Sequence, residues 1–512
     1  MNLQQFFEHW GVTENPFRGE EARQDAVFRR LSLDDGTSQS SHAAHSDFEK
    51  ILGQLEFPST SIVFGEKGSG KTAIRMQIAR RIAEHNKAHP DRKVMLVAYD
   101  ELNSFLDRFH ARTGATDPLE SFGRLRLVDH IDAILMRAVP GVVDAVIGET
   151  ASGRSADLGE QVRRRARALD PTSKRDLLLL QALYDRPDNA HQRTGKLRRA
   201  LRLGLPRSVL LWNVLAFGGW VLPVGVLVAF LLMGASVESV LWQVLFGVTL
   251  LVWVAFLFKR FVWDAMALRR VARRVRRQIR VSSRPEESYV ASFGQIDPVE
   301  LRSGALPTTD SDDTRYALLS RFRQALRGFG YSSMIVVIDR IDEPTLVNGD
   351  ADRMRAIIWP LLNNKFLQQD GLGVKMLLPI ELRHALYKES TSFFQEARLD
   401  KQNLVERLTW SGSMLYDLCE SRLAACRTEG ADPISLLDLF AEDVTRQDLV
   451  DALDQMHQPR DAFKFLYACL NEHCSNVTSQ EQSYRVPRLV LETVRKQQAD
   501  RVQQLYRGIG PA

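Results

Sequence analysis

The chain is 512 residues long, 45% hydrophobic and 26% charged, with a formal net charge of +5. That length has room for about two to four domains, and the ordinary balance of residue types excludes a mainly disordered protein. So small a net charge also excludes a uniformly basic surface, so any polyanion-binding face must arise from local clustering.

The N-terminal arm, 1–45, begins with an amphipathic stretch, Leu3 to Trp10, and a turn, Gly11-Val12-Thr13-Glu14-Asn15-Pro16-Phe17. Met1 to Phe17 carries neither a basic n-region nor an apolar h-region, so no secretory signal is expected and the soluble parts are expected to face the cytoplasm. Ser46-Asp47-Phe48-Glu49 reads as a capping box opening a helix. His42 and His45 read as loop residues rather than ligands.

Ser61-Ile62-Val63-Phe64 is a short buried-strand run that feeds Gly65-Glu66-Lys67-Gly68-Ser69-Gly70-Lys71-Thr72 and then a helix reaching about His85. This is the G-x-x-x-x-G-K-T pattern of a phosphate-binding loop in its strand-loop-helix context. Successive backbone N–H groups can wrap a phosphate only where Gly65, Gly68 and Gly70 permit close approach and positive φ. Lys71 is then expected to reach the β- and γ-phosphates, and Thr72 to offer its hydroxyl to Mg²⁺. Lys93 to Tyr99 is the next buried strand, and Pro118–Asp188 reads as helical with a break around Gly148–Gly159. The first part of the nucleotide-binding core is thus expected over 46–190.

Composition then changes abruptly. Val209 to Met233 and Val240 to Phe258 contain no charged residue, and each is long enough for a hydrocarbon core that needs about 20 helical residues. Arg193, Lys196, Arg198, Arg199, Arg202 and Arg207 precede them, and Lys259, Arg260 and a run of arginines from Arg269 to Arg280 follow. The positive-inside rule places both flanks on the cytoplasmic face of an inner membrane, with the Gly234–Ser239 turn and its Glu238 outside. Trp212, Trp220, Trp242, Trp253 and Trp263 include candidates for interfacial belts. The region 191–281 is thus a two-helix hairpin in the lipid bilayer. Ala265–Arg280, with Leu268, Val271, Val275 and Ile279 at helical spacing, reads as a basic amphipathic helix against anionic lipid headgroups. Nucleic-acid binding and a solvated face are the alternatives at that segment. Residues 282–315 are polar, lack a clear period and read as a flexible return linker.

The core resumes over 316–430. Ser333 to Ile338 is an apolar strand ending in Asp339, expected beside the phosphate loop and able to hold Mg²⁺. Arg340 follows where an acid would polarise the attacking water, so Glu343 or Asp342 becomes the candidate base. Val374 to Pro379 reads as a neighbouring strand, Leu404–Trp410 as the last one, and 431–512 as a helical lid. The Val486–Tyr506 helix suits a homo-oligomer or an unidentified protein partner. Cys419, Cys426, Cys469 and Cys474 fit no zinc spacing and read as buried free thiols.

Taken together, the phosphate loop, an inserted membrane hairpin, Asp339-Arg340-Ile341-Asp342 and a helical lid resemble the KAP family of P-loop NTPases. The resemblance implies an α/β fold, a P-loop parallel sheet flanked by helices, and a membrane-anchored ATPase on the cytoplasmic face. In bacteria such proteins are linked to antiphage defence or signalling assemblies. In that family the strand is followed by Asp-Asp-x-Asp; this chain keeps Asp339 and Asp342 and loses the middle acid. Gly11-x-x-x-Asn-Pro-Phe also resembles the lead-in of AAA-like ATPases that lines an adenine pocket, which implies a contact for Phe17; packing of the arm by Phe6, Trp10 and Phe17 is the alternative. His457-Gln458-Pro459-Arg460 resembles their lid Pro-Arg, which implies that Arg460 touches the γ-phosphate; a surface arginine is the alternative there. No Asn-Lys-x-Asp occurs, which favours ATP over GTP. Three functions stay open: an ATPase, a nucleotide-operated switch with little hydrolysis, and a nucleic-acid-stimulated ATPase.

Overall fold

A computed structural model describes all residues except 19–21, 34–44, 150–155, 205–206, 233–239, 303, 305, 429, 478–482 and 507–512. His42 and the 234–239 turn with Glu238 lie outside the described residues.

Five parallel strands form the central sheet: β1 (Ser61–Gly65), β2 (Lys93–Tyr99), β3 (Tyr331–Ile338), β4 (Leu372–Pro379) and β5 (Asn403–Val405), in the order β2-β3-β4-β1-β5. Their near-continuous Val, Ile, Leu and Met runs match burial on both faces, the condition of a parallel sheet covered by helices. β4 lies between β1 and β3, with Gly65 opposite Pro379 and Ile338 opposite Met376. The loops after β1 and β3 therefore leave the same edge of the sheet, one strand apart. The last strand is shorter than its apolar run: after Val405 the chain turns, and the Leu408 N–H donates to the Phe64 carbonyl at 2.8 Å.

The connection from β2 to β3 carries the helices Leu127–Ile147 and Pro171–Tyr184, which pack with Asp312–Arg327 into the main core, and also the apolar hairpin. Two helices of the chain, Leu210–Leu232 and the apolar part of Val240–Gln278, are long and apolar enough to cross a membrane, and Leu231, Leu232 and Leu241 are 68%, 82% and 75% exposed. The first is interrupted between Gly218 and Val221, where Trp253 Nε1 donates to the Ala216 carbonyl at 2.9 Å. Gly219 makes that approach possible, since a Cβ there would lie 2.8 Å from Trp253 Cδ1. At the end of the pair, Lys259 sits 3.6 Å over the Trp212 ring and Arg260 Nε donates to Asn213 Oδ1 at 2.6 Å.

Two expectations are corrected, and the surroundings of the basic helix are specified. The 282–315 linker holds the helices Glu286–Phe293 and Pro298–Arg302, anchored by the fully buried Tyr289 and Phe293. Arg284, 1% exposed, donates to the Ala182 carbonyl at 2.5 Å, so this stretch is pinned to the core by a buried arginine. The helix Phe48–Leu52 has no side-chain cap from Ser46 or Asp47; instead the Asp47 N–H donates to His45 Nδ1 at 3.1 Å. The basic helix Asp264–Gln278 continues the second apolar helix through a π turn at Lys259–Trp263, and its apolar residues Ala272 and Val275 are buried in the protein core rather than facing outward.

A second core joins the two ends of the chain. Phe6, Phe7, Val12 and Phe17 pack with Leu415, Tyr416, Leu449, Phe465 and Leu470. The Trp10 indole N–H donates to the Tyr484 carbonyl at 2.9 Å, and the Thr13 N–H to Cys426 at 2.8 Å. The arm and the lid are thus one unit, and the Gly412–Ala425 helix belongs to it. All four cysteines are buried and free, as their spacing implied.

Candidate functional site

Where β1 ends, Gly68 (φ 99°) and Gly70 (φ 92°) hold backbone conformations that an L side chain strains to adopt. A Cβ at Gly65 would lie 2.5 Å from Ser69 Oγ, so any larger residue there must displace the Ser69 hydroxyl. Lys71 opens the helix Lys71–Ala88, which has Gly70 as its N-cap and no side-chain cap bond. The N–H groups of such a helix start, together with a lysine, suit an anion. Lys71 Nζ donates to the carbonyls of Gly65 and Glu66 at 2.7 and 2.8 Å. Burial pushes its ammonium below the usual lysine range, against the pull of Asp342, Asp339, Glu381 and Glu66.

Asp339, at the end of β3, is 1% exposed and accepts from Thr72 Oγ1 at 3.1 Å. Burial pushes its carboxyl upward, while Arg75 and Lys71 oppose that shift. Arg75 lies 3.4 Å from Asp339 and 2.5 Å from Asp100, which also receives Arg23 from the arm. Among the described residues no cluster of three His, Cys, Asp or Glu could hold a metal. Thr72 and Asp339 offer two hard oxygens side by side, which fits a Mg²⁺ that takes its other ligands from phosphate and water.

Above this pair a cavity of about 730 Å³ is lined by Lys67, Gly68, Gly70, Lys71, Thr72, Asp339, Asp342, Glu343 and Arg460. Ser69 anchors the loop from behind through its hydroxyl to the Glu66 carbonyl at 2.8 Å, and the Trp410 indole donates to the Ser69 carbonyl at 2.9 Å. Glu66 is turned out of this cavity, held by Arg407 at 2.6 Å and by Gln458. Glu343 is partnered by Arg340 at 2.5 Å, with its side chain 44% exposed, and Arg340 itself has φ 62°. Arg460 rests on the loop, its Cβ 2.9 Å from where a Gly68 Cβ would be.

Phe17 also stands apart from this cavity. It is 1% exposed in the arm–lid core and lines a different cavity with Arg18, Lys464 and Tyr467. The far end of the main cavity is instead built by Ala22, Asp25, Phe28, His45, Trp410 and Phe463. Arg422 closes it from the lid, paired with Asp25 at 2.7 Å and donating to the Pro16 carbonyl at 2.7 Å. No local pattern marks these residues; the buried Trp410 just past β5 is the one signal a sequence reading could have followed.

Comparison with known proteins returns no family model, no curated relative and no solved structure similar to this chain.

Proposed function

We propose that the chain is a membrane-anchored P-loop ATPase, similar to the KAP family, that takes ATP with Mg²⁺ in the cavity above Gly65–Thr72. The observation that carries this reading is the 3.1 Å contact between Thr72 and Asp339, made across an intervening strand and next to Lys71. In this reading the loop N–H groups and Lys71 bind the phosphates, Thr72 and Asp339 hold the cation, and Arg460 approaches the terminal phosphate from the lid. Bound Mg²⁺ supplies charge neutralisation on the phosphate oxygens. Asp342 and Glu343 are the carboxylates able to orient a water. The basic flanks favour a hairpin with both ends and the sheet domain on the cytoplasmic side, and nucleotide state would be read out as assembly or signalling, antiphage defence included.

A switch with slow hydrolysis is the second reading, favoured by the Arg340–Glu343 ion pair, which engages the candidate base. Nucleotide retention and phosphate release by detergent-purified protein separate the two. Turnover that is lost in both Lys71→Ala and Glu343→Gln supports the ATPase. Retention without turnover, lost in Lys71→Ala alone, supports the switch, and a wild type that retains no ATP overturns both.

A further inference from the structure

We infer that the outward face of the Asp264–Gln278 helix is a docking strip for the phosphate backbone of a nucleic-acid duplex. The inward face of this helix is spent on the protein: Ala272, Val275 and the following Ile279 are fully buried, and Leu268 and Val271 pack beside them. Its amphipathic pattern is therefore explained without lipid. What remains outward is charge, since Arg269, Arg270, Arg273, Arg274, Arg276 and Arg277 are all exposed.

Among the described residues, Arg273 alone of these has a carboxylate partner, Glu286 at 3.3 Å. Arg112 extends the strip, donating to the backbone carbonyls of Arg276 and of Ser282, so another guanidinium lies among like charges. An uncompensated row of this density is costly alone and is relieved by a polyanion. Arg269, Arg273 and Arg277 repeat at about one helical turn, roughly 6 Å, and each guanidinium can fork onto a phosphate.

Geometry argues against lipid as the polyanion. The strip continues the helix from Val240 through the π turn at Lys259–Trp263, so it rises away from a bilayer that the apolar part crosses. Arg274 to Arg277 stand about 24–28 Å along the axis beyond Phe258 at 1.5 Å per residue. Even at a tilt of about 40° that leaves roughly 18 Å, beyond a headgroup layer of about 5–8 Å and a Debye length of about 8 Å. Residues 264–280 contain no aromatic side chain, so there is no platform for unstacked bases, and a duplex read through its backbone is the form that fits.

The test uses full-length protein in phosphatidylcholine nanodiscs with a labelled 30-base-pair DNA duplex of mixed sequence, titrated from low to physiological salt. The wild type is expected to bind with an affinity that falls steeply with salt. The variant R274Q/R276Q/R277Q, with unchanged thermal unfolding, is expected to lose at least tenfold in affinity and about 2.7 from the log–log salt slope, near 0.9 per phosphate contact. Absent duplex binding by wild type, or an unchanged affinity and slope in the variant, overturns the inference. So does competition by polyglutamate as effective as unlabelled duplex, which would make this an acidic-protein face, or a variant whose only defect is retention on phosphatidylglycerol vesicles.

Discussion

Lys375 sits opposite Ser61 in the middle of the sheet, fully buried, with Nζ donating to the Ser59 carbonyl at 2.7 Å and to Ser61 Oγ at 3.2 Å. Burial alone pulls its ammonium down to about 7 from an ordinary 10.5. Between those values the unfolded chain holds a proton that the folded chain does not, so stability rises with pH across this window, and below it the full penalty applies. At about 1.4 kcal/mol per pH unit the penalty is bounded near 5 kcal/mol. Lys375→Met should therefore raise the denaturant midpoint at pH 7 and give little gain at pH 10.5. Arg340 offers a second test at this scale. Its left-handed backbone suits Asn better than Arg, and Arg340→Asn removes the partner of Glu343. Steady-state phosphate release should rise severalfold in this variant and vanish when Glu343→Gln is added. Gly65–Thr72 and Asp339 are legible in the sequence because glycine spacing and a strand-ending acid are local signals. Asp25, Phe28 and Arg422 are not, because the arm and lid that bring them to the cavity lie at opposite ends of the chain.

At the scale of elements, the apolar hairpin follows from composition, whereas its interruption at Gly218–Val221 does not. In hydrocarbon a carbonyl freed by such a break has no water to turn to, and the Trp253 indole answers Ala216 from the neighbouring helix. Trp253→Phe keeps the ring and removes the donor, at a cost of about 0.6–2 kcal/mol, so thermal unfolding in nanodiscs should shift downward by a few degrees. The 282–315 stretch shows the opposite failure. Its Ser, Pro and Asp content reads as linker, yet Arg284, Tyr289 and Phe293 tie it to the core. Limited proteolysis should spare these residues in the wild type and cut within them in Arg284→Ala.

For the whole molecule, the unit formed by the two chain ends closes one side of the cavity. Deleting residues 1–18 strips Phe6, Phe7, Val12 and Phe17 from the lid core and leaves the Gly65–Thr72 loop itself untouched. A fluorescent ATP analogue should bind at least tenfold more weakly to the truncated protein, with a lower unfolding temperature, while the far-ultraviolet spectrum stays predominantly helical. Unchanged affinity would show that the lid closes without the arm. This dependence cannot be read from hydrophobic periodicity, which registers the amphipathic Leu3–Trp10 stretch without saying what covers it.

If the apolar part of the Val240–Gln278 helix crosses a membrane, bilayer thickness becomes a mechanical variable of the sheet domain. A membrane thinner than the apolar span is met by tilting, and a helix carried on through the π turn at Lys259–Trp263 passes part of that tilt to its basic half. The 15 residues beyond the π turn form a lever of about 22 Å at 1.5 Å per residue, so a lean of about 10° sweeps its tip through roughly 4 Å. Because Ala272 and Val275 are embedded in the core, that sweep would be delivered as strain to the packing against the Glu286–Phe293 helix, and lipid composition would then be an input of the membrane-anchored protein.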